Sequence, residues 1–155
     1  VVGEYLAHAD GNPAARLYRF LVEDFRYLMD SPYDLRGIFN DDVLLDEEFV
    51  PWCRTRLRLH AAVSDLIRQG IDAGEFIEIE VNFARQAVSG LMLETIRERS
   101  LGEKLPAQRP TRTATFMVRA LLVDPSRLEE VAAEAFAIEG LPAYRDAGQV
   151  PPPAY

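Results

Sequence analysis

WCRTRLRLHAAVSDLIRQGIDAGEF, residues Trp52 to Phe76, is the stretch whose reading decides the fold class. At 100° per residue, Trp52, Leu59, Val63, Leu66, Ile67 and Gly70 fall along one stripe. Arg54, Arg58, Asp65 and Arg68 take the opposite side. This is an amphipathic helix of about six turns. Gly74 ends it, because glycine alone enters the left-handed conformation without steric cost. Two residues break the pattern: Arg56 projects between Val63 and Ile67, inside the apolar stripe, and His60 lies at its edge.

Upstream, Val1 to Ala9 reads as the end of a helix broken by Asp10-Gly11. Asn12-Pro13 then supplies a cap and a first-turn proline for a helix running to about Asp30. Its apolar face is Leu17, Leu21, Phe25 and Leu28 with Ala14, Tyr18 and Val22, and Arg16, Arg19, Glu23 and Arg26 are expected on the solvent side. Asp24 is the exception, since its angle falls beside Leu17, Phe20, Tyr27 and Leu28. A buried carboxylate needs a partner or loses its charge. Asp24 is therefore either one end of an internal salt bridge, with Arg56 the best candidate partner, or a pocket acid awaiting a ligand. A short helix follows at Tyr33–Asn40, and Asp46 can cap the approach to Pro51.

Downstream, Glu75–Glu80 has too few residues for a sheet without partners and reads as a loop pinned by Phe76 and Ile79. The next helix, Val81–Ser100, is apolar on two sides. Ala84, Val88, Leu91 and Thr95 form one stripe, and Phe83, Ala87, Gly90 and Leu93 extend it around the back. A helix apolar on two sides is buried on two sides, so one side can serve the chain's own core while the other needs a partner. Gly90 in mid-helix costs about 1 kcal/mol against alanine, which the close approach of a second helix would justify. Thr111–Val123 repeats the pattern, with Phe116, Ala120 and Val123 on one side and Met117 and Leu121 on the other. Leu101–Pro110 is a loop, and Asp124-Pro125 opens a last helix, Ser126–Ile138. From Gly140 the chain has no helical period and four prolines, and reads as an extended tail.

Composition narrows the functional classes. The 155 residues carry 48% hydrophobic and 27% charged side chains, ordinary values for one globular domain. No apolar run approaches the ~20 residues that span a bilayer, and no secretory signal is visible. One cysteine, Cys53, suits a reducing cytoplasm. A net charge of −8 is a poor match to a phosphate backbone. No phosphate-cradling glycine loop, H-E-x-x-H or C-x-x-C is present. His8 and His60 are too few for most histidine-rich metal sites, and Cys53 and His60 stand two turns apart, about 10 Å, too far for a nucleophile and its base. We expect no enzyme, no metal and no cofactor.

LIRQGIDAGEF (Leu66–Phe76) followed by ARQAVSGLMLETI (Ala84–Ile96) resembles the ligand-binding and dimerisation domain of the TetR family of bacterial transcriptional regulators. There a long helix ends in a G-x-x-x-G-E-F-like turn, and the helix after it carries small residues and pairs with its twin. SPYDL (Ser31–Leu35) and VRALLVDPSRLEE (Val118–Glu130) also resemble the family, so the likeness runs from about Val1 to Phe136. It implies an N-terminal helix-turn-helix DNA reader, absent from this sequence, joined through a connector helix ending in Val1–Ala9. It also implies a small-molecule effector bound between the helices, with no indication of which one.

The expectation is thus an all-α fold of seven to eight helices. Residues 1–139 form an effector-binding and dimerisation domain, and residues 140–155 its tail. Candidate pocket residues are Phe20, Asp24, Tyr27 and Leu28, then Tyr33 and Phe39, then Trp52, Arg56, Leu59, His60 and Val63. An apolar wall with a few placed polar atoms is the usual make-up of a small-molecule site, although the same residues could form a packed core. The expected homodimer is a four-helix bundle of Val81–Ser100 and Thr111–Val123 from each subunit, meeting through Phe83, Gly90, Leu93, Phe116 and Ala120. The alternative is a stand-alone helical small-molecule-binding or dimerisation module that contacts no DNA.

Overall fold

A computed structural model describes residues 2–31 and 50–143, with the backbone alone at residues 50–53. Among these residues the fold is all-α, with six helices: α1 (Val2–His8), α2 (Pro13–Asp30), α3 (Val50–Asp72), α4 (Val81–Ser100), α5 (Arg109–Leu121) and α6 (Leu128–Phe136). A single 3-10 turn, Pro125–Arg127, leads into α6. The expected helix at Tyr33–Asn40 and the Asp46 cap lie outside the described residues. None of the described helices is long and apolar enough to cross a membrane.

The chain is organised around α2. Asn12 opens α2 by accepting hydrogen bonds from the Ala14 and Ala15 amides at 2.7 and 3.3 Å. Ala14, Leu17, Tyr18, Leu21, Val22, Phe25 and Leu28 are buried as their spacing predicts, and so are Phe20 and Asp24 on the flank. A helix apolar over most of its circumference belongs in the middle of a bundle. Accordingly α2 packs against all five of the other helices. On α3 the buried side is Ala62, Val63, Leu66, Ile67 and Gly70, with Leu59 packed against the core from its margin.

Arg16 and Arg19 do not face solvent as expected. Arg16 is buried and donates from Nη1 to the carbonyls of Leu6 and Ala7, at 3.0 and 3.4 Å, at the C-terminal end of α1. Arg19 does the same for α6, donating to Ala135 O at 3.3 Å with its guanidinium 5.7 Å from the Phe136 ring centre. At the end of α2, Arg99 of α4 donates to Leu28 O at 3.1 Å and to Ser31 O. Helix C-termini leave carbonyls without intrahelical partners and carry partial negative charge. Three helices are thus closed by an arginine from a neighbour.

The end of α3 is a lock. Gly74 adopts φ +72°, and the Glu75 and Phe76 amides both return to Gly70 O, at 2.9 and 3.0 Å. This folds the Phe76 ring onto Gly70, where an added Cβ would lie 2.1 Å from a ring carbon. Beyond the ring, Phe76 forms an isolated antiparallel bridge with Leu122, and Val123 N donates to Glu75 O. Glu75 meets Arg127 at 2.6 Å. The expected pin at Phe76 is therefore present, and Ile79 packs against the core as a partly buried residue. The same bridge ends α5 at Leu121, two residues earlier than expected, because Leu122 is drawn into extended conformation. α5 also begins two residues early, since Pro110 sits in its first turn instead of closing the preceding loop.

Beyond α6 the chain has no regular secondary structure through residue 143, with Leu141 packed against the core and Tyr5 of α1 donating to Glu139 O at 3.3 Å.

Candidate functional site

The expected pocket residues separate into two groups. Phe20, Leu28 and Val63 are core side chains with no more than a few per cent of their surface exposed. Tyr27, Arg56, Leu59 and His60 are half-buried, at the margin between α2, α3 and water. Asp24 is buried, and both Asp24 and Arg56 have interaction partners. Tyr33, Phe39 and the Trp52 side chain lie outside what the structure describes.

Electrostatics single out the α3 margin. His60 is pushed down to about 4, first by its partial burial and then by the guanidiniums of Arg85 on α4 and Arg56 one turn away on α3. At neutral pH the ring is uncharged, one nitrogen donating and the other accepting. Arg85 was not among the expected site residues. It follows the buried Ala84, and periodicity alone gave it no distinguishing position.

α1 is joined to this region by three polar contacts. Arg58 on α3 grips the Glu4 carboxylate with both oxygens at 2.6 Å, which holds that carboxyl down at about 2. Gln69, also on α3, donates to Ala7 O at 2.9 Å, beside the Arg16 contacts. Gly3 lets the helix approach closely, since a Cβ there would lie 2.9 Å from the Phe20 ring and 3.2 Å from Ala62. A displacement of α2 against α3 therefore has a direct route into α1. Sequence reasoning missed Arg16, although Arg16, Phe20 and Asp24 follow one another at four-residue spacing and share a stripe. The argument that turned Asp24 inward applies to Arg16 as well.

The outer faces of α4 and α5 form a second candidate. α4 buries Ala84, Val88, Met92, Thr95 and Ile96, and α5 buries Met117, Val118 and Leu121. On the other side Phe83, Leu93 and Phe116 are 60%, 48% and 66% exposed, with Gly90 and Ala120 open to solvent among them. All five expected interface residues thus lie on the surface of the single chain. Between the two helices runs an open groove of about 270 Å³, lined by Leu91, Pro106, Arg109, Arg112, Thr113 and Phe116. Arg109 is tied across it to Glu98 at 2.5 Å. Among the described residues no cluster of three or more histidine, cysteine or acidic side chains could hold a metal ion.

Comparison of the chain with family models, with curated proteins and with solved structures finds no match.

Proposed function

We propose that this chain is the effector-binding and dimerisation domain of a TetR-like transcriptional regulator, with DNA read by a helix-turn-helix segment preceding α1. The observation that carries this reading is the exposure on α4 and α5 of Phe83, Leu93 and Phe116, together with Gly90 and Ala120. Large apolar side chains left in water on a helix that is also apolar on its inner side suit an association surface. A second copy is the simplest partner, because a two-fold contact needs only one self-complementary patch. The fastening of α1 to α2 and α3 supports the regulatory half of the proposal. An effector favouring one arrangement of α2 and α3 would shift the position of α1, and with it the DNA readers. No enzymatic role is proposed.

The test uses a protein that carries this chain behind its helix-turn-helix reader. Operator binding should fall or rise on addition of a compound that also shifts the melting temperature of the 155-residue chain. DNA affinity indifferent to every compound that stabilises the chain would contradict the regulatory reading and leave a stand-alone binding module.

A further inference from the structure

One stripe of α5 lines the groove of about 270 Å³ between α4 and α5. Arg109, Arg112, Thr113 and Phe116 recur at the three- and four-residue spacing that sets side chains on one face of a helix. Leu91 of α4 and Pro106 of the preceding loop complete the lining. The acids of the last turns of α4 are already taken, Glu98 by Arg109 at 2.5 Å and Glu94 by Arg97. Two polar groups on the stripe are not. Arg112 makes no ion pair and no side-chain hydrogen bond among the described residues. Thr113 is only 8% exposed, and its hydroxyl has no hydrogen-bond partner among them either. The hydroxyls of Thr95, Ser100 and Thr111 each donate to a carbonyl three or four residues back, and that of Thr115 meets Tyr18. A buried hydroxyl left unpaired is costly, so Thr113 calls for a partner from outside the chain.

We propose that this groove binds a small organic acid, its carboxylate received by Arg112 and the Thr113 hydroxyl and its apolar body laid against Leu91, Pro106 and Phe116. A guanidinium is a planar fork of donors that matches one carboxylate, and the neighbouring hydroxyl adds a further donor. A phosphate dianion would call for a second free cation, and Arg109 is committed to Glu98. The N-terminal end of α5 adds partial positive charge, which the Gln108 side chain does not cap. Apolar walls around a few placed polar atoms suit a hydrocarbon body rather than a bare ion, and the volume lies just under the ~300 Å³ of the smallest drug-sized pockets, so that body is short. This site goes beyond the effector reading, which concerns α2 and α3, and it stands or falls separately from it.

The test titrates the ¹⁵N-labelled 155-residue chain with hexanoate, with hexanol and with inorganic phosphate, following backbone amide shifts by NMR. Hexanoate should move the amides of Leu91, Arg112, Thr113 and Phe116 along a saturable curve. Hexanol lacks the charge and phosphate lacks the apolar body, so each should bind more weakly by about ten-fold, the loss of one charge-assisted contact or of a comparable apolar one. Arg112 is exposed, so Arg112→Gln should keep the parent spectrum while weakening hexanoate by about ten-fold. Arg112→Lys should retain part of the affinity. Thr113→Val keeps the shape of the side chain without its hydroxyl, and should weaken hexanoate by about five-fold. The proposal is overturned if hexanoate leaves the groove amides unmoved, which is also the result expected of a groove closed by a second copy. It is overturned equally if hexanol or phosphate binds as well as hexanoate, or if Arg112→Gln binds like the parent.

Discussion

Gly70 and Gly90 sit in successive helices, and their surroundings are opposite. At Gly70 the space of the missing side chain is filled by the Phe76 ring, which is 2% exposed. At Gly90 a Cβ would meet nothing within 4 Å among the described residues, and Phe83 on the same helix and Phe116 on α5 are exposed. One region is finished by the chain itself. The other presents the same materials, glycine and phenylalanine, left exposed among the described residues. The difference locates intramolecular stability at the end of α3 and places the proposed association on α4 and α5.

The strongest way to break this contrast is at the lock. Phe76→Ala removes a fully buried ring and should cost about 3–5 kcal/mol. Gly70→Ala should cost about 3 kcal/mol, because its Cβ meets rigid ring atoms rather than a flexible side chain. In the Phe76→Ala background the Gly70→Ala penalty should vanish, since the clash is gone and alanine favours helix. Urea unfolding of the four proteins measures all of this, and additive penalties would mean the two residues act separately.

On the open side, Phe116→Glu should leave unfolding of the single chain within about 0.5 kcal/mol of the parent. It should weaken self-association by about 100-fold, as expected for an aromatic anchor at the centre of an interface.

A change of pH sharpens the picture at the α3–α4 seam. His60 titrates at about 4 in the folded chain against 6.5 for the free side chain. Below pH 6.5 the unfolded chain therefore takes up a proton that the folded chain refuses. Stability present above that pH is lost as the pH falls toward 4, by roughly 1–2 kcal/mol after allowing for solvent screening. The difference in stability between the parent and His60→Gln across that window isolates the contribution, and a constant difference would deny it.

The smallest effect is expected at Gly90. In the Phe116→Glu background, Gly90→Ala should stabilise the chain by up to about 1 kcal/mol, through helix propensity alone. In the parent the added methyl should weaken pairing instead. A gain of equal size in both backgrounds would show that no second helix approaches Gly90.

Much of the architecture was legible in the sequence because it depends on one helix at a time. The limits of α2 and α4, the two-sided character of α4 and α5, and the pin at Phe76 all follow from periodicity, caps and glycine chemistry. What periodicity cannot see is a contact whose other half is a backbone carbonyl on a distant helix. Arg16 and Arg19 were placed in solvent for that reason, and both instead close helix ends. The central place of α2 was not legible either, since it depends on how many neighbours the helix gathers. The buried places of Phe20, Leu28 and Val63 were legible on α2 and α3. The field of Arg85 at His60 was not, because Arg85 comes from another helix.

Sedimentation equilibrium of the 155-residue chain across micromolar concentrations tests the central claim most directly. The account predicts a species of twice the 17.5 kDa chain mass, reduced to the single mass by Phe116→Glu with its helical circular dichroism intact. A parent chain that stays at the single mass at every concentration would contradict it.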